Sequence, residues 1–560
     1  MIRAYVLLIG IAVGVISCSP EESNSIQYEI AAIHNDSIHQ LKVTMSFLPS
    51  QDGITVLEYP DNAWGQENLH EAIKHMELQE VQGEIETDKD SGWVTLKHPK
   101  DLKRLQFQYI LQQDFENPIG SRKVYRPIIQ PEYFHLFSHN LFMVPKTIGD
   151  TINVNLYWKG FKVDEVVHHS FGSNKKQQRL ENIPKTQFLE SIFVGGDFKV
   201  DEITIKGSKV FLATRGDWVP FSVDEMKTLL EETIKYQRNF WDDHSQPYFT
   251  VTMQPIFEAN GSSYQGTGLT NSFATSFSNN TFLEKEQMVH LFNHELMHNW
   301  IGLAIKNKNE EEQYWFSEGF TEYYTHKNVA KNRINGLDGS YFIDAINDLV
   351  RNLYSLSIKE VPNSEMNYEN FWSNPEYQKL PYYRGALFAF YLDYSIMEKS
   401  QGEQSLDNLM KDLLTSAKEE GKKLDHSHFL ENLRSYLPDN AESMLQTYIE
   451  NGKLLPLVDF YGTMGLEYTP EIYVYDLGFQ FTEDKRGIYS VVEGSEAEKA
   501  GLQSGDRIIS QSIWFGNAEI PVEIGVDRDG KQLKFSYLPV KAENAAALVN
   551  SKENIERLRL

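Results

Sequence analysis

The chain has 560 residues, of which 41% are hydrophobic and 24% charged, and it carries a formal net charge of -26. This length exceeds what one hydrophobic core supports, so several domains are expected, and the composition excludes wholesale disorder. An acidic surface repels phosphate backbones, which excludes nucleic acid as an expected partner.

The first residues are typical of a targeting segment, residues 1–17. Arg3 precedes an uncharged apolar run, Ala4–Ile16, whose 13 residues are too few to span a bilayer but fit the core of a secretory signal. The run is followed by Cys18, the only cysteine in the chain. This segment resembles a bacterial lipoprotein processing site, which implies cleavage before Cys18 and its acylation. An ordinary signal peptide is the alternative.

Residues 26–200 are predicted to form a β-domain. Apolar and polar residues alternate in several runs, which places one face of each strand on a core and the other in water. Three of these runs are Leu41–Phe47, Leu105–Tyr109 and Ile152–Trp158. Several such strands indicate a β-sandwich.

Residues 201–457 are predicted to be mostly helical. Ser222 and Glu225 have the spacing of a capping box, which begins a helix that ends near Trp241. The stretch from Ser340 to Asn451 also has a largely helical pattern.

Short strands and turns return at residues 458–541, with a small helix predicted at Glu496–Ala500. Residues 542–560 are predicted to be a polar helical tail. The fold class expected from these segments is multi-domain α+β.

A metal-binding motif lies on a helix predicted to begin near Leu283. His294-Glu295-Leu296-Met297-His298 is an HExxH sequence. Residues four apart share a helical face, so His294 and His298 can bind one metal ion. Glu295 projects beside them, where it can deprotonate a metal-bound water. A surface helix with two solvated histidines is the alternative, since so short a motif also arises by chance.

A downstream acidic segment can complete the metal site. Catalytic zinc needs three protein ligands and one open position. Glu318 and Glu322 are four residues apart and so share a helical face. Glu318 can be the third ligand, and Glu322 can accept a hydrogen bond from the far nitrogen of a ligand histidine, with His294 the first candidate.

These two segments together resemble the thermolysin-like gluzincins. Trp315–Tyr324 resembles the glycyl aminopeptidase family of zinc metallopeptidases, in which the second acid is commonly Asp where this chain has Glu322. The 19 residues between His298 and Glu318 are one more than many members have. The resemblance implies a thermolysin-like catalytic domain, Zn²⁺ as cofactor and peptides or proteins as substrates.

A third segment adds a candidate residue for stabilising the oxyanion. Pro381–Ala386 resembles the Pro-Tyr-x-Lys-Gly segment of related aminopeptidases. The resemblance implies that Tyr382 donates a hydrogen bond to the tetrahedral oxyanion, and Tyr383 is the alternative donor. A tyrosine that serves only the core is the other interpretation.

The C-terminal region resembles a PDZ domain. Ser490–Ile509 matches the segment that runs through the short helix to its Gly-Asp turn. The resemblance implies that the backbone amides of Leu477, Gly478 and Phe479 form a loop that binds the carboxylate of a C-terminal peptide. A scaffold that binds nothing is the alternative.

One segment departs from the aminopeptidase pattern. Related enzymes hold the substrate's amino group with a glutamate on the strand before the zinc helix. The matching segment here is Gly266–Ser272, with Gly268 at the glutamate position, and no Asp or Glu occurs from Ala259 to Leu283. An amine anchor must come from elsewhere, or the enzyme does not need a free amino terminus.

The sequence therefore predicts a lipid-anchored zinc peptidase with a β-domain, a catalytic domain and a PDZ domain, by resemblance an aminopeptidase. The alternatives are an endopeptidase or a peptidase of altered specificity, and a non-catalytic PDZ-bearing surface lipoprotein that binds peptides. The expected location is the bacterial cell envelope, at the outer membrane or cell surface, or the periplasm without the anchor.

Overall fold

The computed structural model describes residues 25–34, 39–88, 91–172, 175–246 and 248–560. Within these ranges the chain forms two compact units. The first consists of residues up to 227 together with 244–284, and the second of 228–243 with 285–560. No helix of the described ranges is both long and apolar enough to cross a membrane. The targeting segment and Cys18 lie outside these ranges, so lipidation stays a prediction.

The first unit is rich in β-structure, as the alternating patterns predict. Leu41, Val43 and Met45 are buried on one face of their strand, and the other alternating runs are buried in the same way. Its elements are β1 Ser25–His34, β2 His39–Phe47, β3 Ile54–Glu58, β4 Ile73–Gln79, β5 Glu84–Asp88, β6 Trp93–Lys97, β7 Leu105–Gln112, β8 Ile128–Ile129, β9 Tyr133–Phe137, α1 Ser138–Leu141, β10 Val144–Pro145, β11 Thr151–Lys159, β12 Val166–His169, β13 Gln177–Pro184, α2 Lys185–Leu189, β14 Ile192–Gly196, β15 Lys199–Ile205, β16 Ser208–Thr214, β17 Tyr248–Ile256, β18 Tyr264–Leu269 and β19 Ser272–Ser278.

The strands form four sheets among the described residues. The largest has the order β13-β11-β1-β2-β7-β4, and two others have the orders β10-β3-β6-β5 and β12-β14-β9-β8. In the largest sheet β1 runs parallel to β11, while the other described strand pairs of this sheet are antiparallel. The inner faces of these strands form one apolar core.

The fourth sheet has the order β15-β16-β17-β19-β18. The predicted boundary at residue 200 assigned these strands to the catalytic domain, whereas in the structure they belong to the first unit. The reason is a shared core, because Ala213, Ile256 and Ala274 of this sheet pack with Ile119 and Tyr133. Strand β18, which contains Gly268, lies at the edge and pairs antiparallel with β19.

The second unit is mostly helical up to Thr463, so the broad expectation of a β-rich first part and a helical later part is confirmed. Helix α3 is Val223–Trp241, and most of it belongs to this unit. The further helices are α4 Lys285–Met297, α5 Tyr314–Ser317, α6 Gly319–Asn332, α7 Gly339–Ser355, α8 Tyr368–Ser373, α9 Pro375–Lys399, α10 Leu406–Glu420, α11 His426–Tyr436, α12 Ala441–Leu445, a π-helical turn Gln446–Glu450, and α13 Leu457–Thr463.

Helix α9 packs against both α5 and α6, and glycines stand at this contact. A methyl group at Gly385 would overlap the carbonyl oxygen of Trp315, and one at Gly319 would lie 2.8 Å from the carbonyl oxygen of Pro381. The absence of side chains lets the helix backbones approach closely. Since Gly319 follows Glu318 and Gly385 lies three residues after Tyr382, this contact sets the spacing of two predicted site residues.

The last part of the chain contains short strands around a small core of its own. The predicted helix at Glu496–Ala500 is confirmed. The elements are β20 Tyr468–Thr469, β21 Ile472–Tyr475, β22 Phe479–Phe481, β23 Ile488–Val491, α14 Glu496–Ala500, β24 Arg507–Ser512, β25 Val522–Arg528, β26 Lys531–Tyr537, β27 Val540–Glu543, β28 Ala547–Leu548 and α15 Lys552–Arg557.

The prediction of a polar helical tail at 542–560 is wrong for most of its length. Only α15 is helical there, and Ala546, Leu548 and Leu558 are buried in the core formed by the helices of the second unit. The side-chain amide of Asn347 on α7 exchanges two hydrogen bonds of 2.8 Å with the backbone of Leu548. The segment therefore completes the packing of the second unit, and its apolar residues were too few and too scattered to give a periodic signal.

Candidate metal centre and active site

The HExxH sequence lies at the end of α4, whose buried face includes Met288, Phe292 and Leu296. The helix ends at Met297, so His298 stands in the turn that follows. The Nδ1 atom of His298 is 3.0 Å from the carbonyl oxygen of Ile301. This bond fixes the ring with Nδ1 protonated and leaves Nε2 free to bind a metal.

Three side chains converge as a metal-binding set. His294, His298 and Glu318 each offer one ligand atom, and these atoms lie within 4.8 Å of one another. The Oε2 atom of Glu318 is 3.4 Å from His294 Nε2 and 3.5 Å from His298 Nε2. Tetrahedral zinc with bonds of about 2.0–2.1 Å separates its ligands by about 3.3 Å. Two imidazoles and one carboxylate at this spacing fit a zinc ion with an open fourth position.

Glu322 lies on the outer side of His294. Its Oε2 atom is 2.9 Å from His294 Nδ1, as expected of a carboxylate that orients a ligand histidine. Glu322 is on α6, one helical turn after Glu318, and α6 packs against α4. The two acids of the second segment thus take different positions, one at the metal site and one behind the ring of His294.

The opposite charges in the site shift one another's pKa values. Burial alone would raise the pKa of the Glu318 carboxyl, but His298 and His294 outweigh burial and hold this pKa well below its usual range. Burial lowers the pKa of His294, yet hydrogen bonds to Glu318 and Glu322 outweigh it and raise this pKa to about 10. The anionic pair Glu318 and Glu322 therefore creates a site that attracts cations.

Glu295 and Tyr382 stand beside the metal-binding set. The ring of Tyr382 stacks on that of His294 with 5.7 Å between centroids. Burial and the charge of Glu318 raise the pKa of Tyr382 well above its usual value, so its hydroxyl stays protonated and can donate a hydrogen bond. The charge of Glu295, which follows His294 directly in the chain, helps to raise the pKa values of both His298 and Tyr382.

Two neighbouring histidines were missed by the sequence reasoning. His290 Nε2 is 2.9 Å and His326 Nε2 is 3.1 Å from Oε1 of Glu322. His290 stands four residues before His294, and His326 four residues after Glu322. The four-residue spacing of the known site residues continues by one turn on each helix, and this signal could have identified them.

The predicted peptide-binding loop Leu477-Gly478-Phe479 precedes and begins β22. The amide of Gly478 donates to Oδ1 of Asp476 at 2.8 Å, and its carbonyl accepts from the amide of Val492 at 2.9 Å. A carboxylate ligand would have to displace Asp476 from Gly478. This geometry does not favour carboxylate binding there.

Gly268 on β18 has open space where a side chain would stand, because an added Cβ would meet no heavy atom within 4 Å. The position can therefore accept a larger residue without a clash. Crowding therefore does not explain why this chain has glycine where related aminopeptidases have glutamate.

The HExxH helix brings two imidazoles together with a glutamate from the start of a second helix, and a protonated tyrosine stands beside them. This arrangement defines the site of a zinc metallopeptidase. Residues 233–448 match the peptidase family M1 domain. The chain thus contains a peptidase family M1 domain, and the ligand set His294, His298 and Glu318 fits Zn²⁺ as its cofactor.

Solved structures and one curated protein resemble the chain. An aminopeptidase N family protein from Idiomarina loihiensis aligns with a TM-score of 0.72 at 16% identity and covers 95% of this chain and 99% of that chain, which shows a shared fold. The M1 zinc metallopeptidase from Deinococcus radiodurans gives a TM-score of 0.46 at 12% identity, with 78% and 96% covered. Protease RseP from Photorhabdus luminescens is 42% identical over 64 residues, which span 9% of this chain and only 28% of that protein.

Proposed function

We propose that the protein hydrolyses peptide bonds with a zinc-activated water, with aminopeptidase action as the default. The observation that carries this proposal is the 3.4 and 3.5 Å spacing of the ligand atoms around Glu318 Oε2, which fits tetrahedral zinc. A binding protein without catalysis would have no use for Glu295 beside such a site. The similarity of Trp315–Tyr324 to glycyl aminopeptidases also supports peptidase action.

His294, His298 and Glu318 would hold a zinc ion, which would supply Lewis acidity toward the scissile carbonyl and the attacking water. Glu295 takes a proton from that water and later passes it to the leaving amine. The Tyr382 hydroxyl donates a hydrogen bond to the carbonyl oxygen as negative charge develops on it. Its raised pKa keeps this donor protonated.

Substrate specificity depends on whether a carboxylate faces the substrate's amino group. Gly268 supplies none where the family carries a glutamate. A different acid, Glu310, interacts electrostatically with Glu318 and His298, and its Oε1 accepts a hydrogen bond from Asn307 at 3.2 Å. If the second unit supplies an amine anchor, Glu310 is the candidate, because its charge acts on Glu318 and His298. Without such an anchor longer peptides can pass through the site.

N-acetylated peptides test this point. We expect acetylation of Gly- and Ala-initiated peptides to lower kcat/KM less than it does in an enzyme with an amine-anchoring glutamate, because Gly268 supplies no buried carboxylate that would reject a blocked amine. The measurement is kcat/KM for each pair of peptides, with a chelator-treated sample as the blank.

If acetylation abolishes cleavage, the enzyme has an amine anchor. Glu310→Gln then identifies the anchor, since this variant should lose the preference for free amino termini while it retains cleavage. If neither free nor acetylated peptides are cleaved, the peptidase proposal itself fails.

The C-terminal strands around the core of Phe479 and Val526 support a PDZ-like module. Since Asp476 already binds the Gly478 amide, a scaffold role is better supported than capture of a C-terminal peptide. The peptidase proposal does not depend on this module binding a ligand.

The cell-envelope location rests on the sequence around Cys18. We expect labelled fatty acid to be incorporated into the wild type and not into Cys18→Ser, because no other thiol exists in the chain. Protease treatment of intact cells should digest the protein if it is exposed at the surface. Absence of label in the wild type would indicate a secreted or periplasmic enzyme.

A further inference from the structure

The metal-binding helices carry more histidines than zinc binding requires. Along α4, His290 stands one turn before His294, and along α6, His326 stands one turn after Glu322. Both extra rings turn toward the same carboxylate, that of Glu322. This carboxylate therefore receives contacts from both helices.

The contacts around Glu322 are close. Its Oε1 atom is 2.9 Å from His290 Nε2 and 3.1 Å from His326 Nε2, while its Oε2 atom is 2.9 Å from His294 Nδ1. The His326 side chain is 9% exposed and that of Glu322 is 11% exposed, so little water competes with these bonds. The other nitrogen of His326, Nδ1, is 2.8 Å from the Tyr341 hydroxyl.

These distances distinguish hydrogen bonding from a second metal site. His290, Glu322 and His326 also form a set whose ligand atoms lie within 4.8 Å of one another. A tetrahedral zinc ion would hold its ligands about 3.3 Å apart, as at Glu318, where the separations are 3.4 and 3.5 Å. The separations at Glu322 are 2.9 to 3.1 Å, which is the range of N–H···O hydrogen bonds.

We infer that His290 and His326 are positioning residues that hold the Glu322 carboxylate by N–H···O hydrogen bonds, so that Glu322 in turn fixes His294 for zinc binding. In this arrangement each ring donates from Nε2, and His326 Nδ1 accepts from the Tyr341 hydroxyl. All described polar atoms of Glu322 and His326 are then satisfied without a second metal ion.

As a consequence, side chains of α6 and α7 orient Glu322, and Glu322 orients the zinc ligand His294. Glutamate has three rotatable side-chain bonds, so a single bond to His294 would leave its carboxylate poorly fixed. His326 holds Oε1, and His290 Nε2 lies 2.9 Å from Oε1 and 3.0 Å from Oε2, so Oε2 stays directed at His294 Nδ1. His294 Nε2 then faces the metal without reorganisation.

Zinc affinity of the full-length protein, measured by competition with a chromophoric chelator, tests this inference. Glu322→Ala should weaken zinc binding by about 10- to 100-fold. His290→Ala and His326→Ala should weaken it by about 3- to 10-fold, since they act one bond further from the metal. In a Glu322→Ala background each should change affinity less than about 2-fold, because the residue through which they act is gone.

Glutamine variants separate hydrogen bonding from metal binding. His290→Gln and His326→Gln retain an N–H donor for Glu322 and should keep nearly wild-type zinc affinity. His426→Ala is the matched control, since His426 also pairs with a glutamate, Glu450 at 3.1 Å, and is 35% exposed against 31% for His290. This control should not change affinity.

Two outcomes would overturn the inference. Equal effects of the alanine variants with and without Glu322 would mean that the histidines act on the fold alone. A second zinc equivalent that the glutamine variants lose would mean that the cluster is a metal site. Because binding is measured without substrate, a failure of the proposed peptidase activity is distinguishable from both.

Discussion

Glu295→Gln is expected to keep about one zinc ion per chain and to lower turnover by about 10²- to 10⁴-fold. Glutamine has nearly the shape of glutamate but cannot accept a proton from the attacking water. The ligand atoms of His294, His298 and Glu318 are untouched by this change. Metal binding and proton transfer are therefore separated by a single substitution.

The measurement pairs zinc content with kcat on an unblocked peptide. Glu286→Gln is the matched control, because Glu286 is an exposed acid in the first turn of the same helix α4, and it should retain full activity. Undiminished turnover in Glu295→Gln would contradict the assignment of Glu295 as the base. Loss of zinc in this variant would mean that Glu295 supports the metal site rather than the proton transfer.

Local interactions account for the parts of the structure that the sequence predicted well. The capping box is formed as expected, with the Glu225 amide 3.2 Å from Ser222 Oγ and the Ser222 amide 2.8 Å from Glu225 Oε2. The HExxH spacing and the helix at Glu496–Ala500 are equally short-range. Such patterns lie within one or two helical turns, so the chain order alone reveals them.

Contacts between distant segments could not be predicted in the same way. His290 and His326 are 36 residues apart in sequence, and they meet at Glu322 only because α4 packs against α6. Leu548 joins the catalytic core through Asn347, 201 residues earlier. The four-residue spacing on each helix marks the two histidines as candidates, but it does not reveal that they meet at Glu322. That meeting and the Asn347–Leu548 pair depend on how whole elements pack.

Gly385→Ala is expected to lower both stability and activity. Its methyl group would overlap the backbone carbonyl of Trp315, and a backbone atom cannot rotate away as a flexible side chain can. Helix α9 must then move away from α5 and α6. Overpacking of this kind costs about 1–3 kcal/mol or more, so the apparent melting temperature should fall by several degrees.

The same displacement should also lower the catalytic rate, because the close contact at Gly385 sets the distance between the helix of Tyr382 and the helix that begins after Glu318. A shift of about 1 Å at the reacting groups can cost up to about 10²-fold in rate, so kcat should fall even where the folded protein and its zinc remain. Gly462→Ala is the control, since Gly462 lies in α13 and an added Cβ there meets no heavy atom within 4 Å. Without a clash, alanine should stabilise that helix by about 0.5–1 kcal/mol. If Gly385→Ala behaves like Gly462→Ala in both melting temperature and kcat, the spacing of α9 and α6 does not limit catalysis.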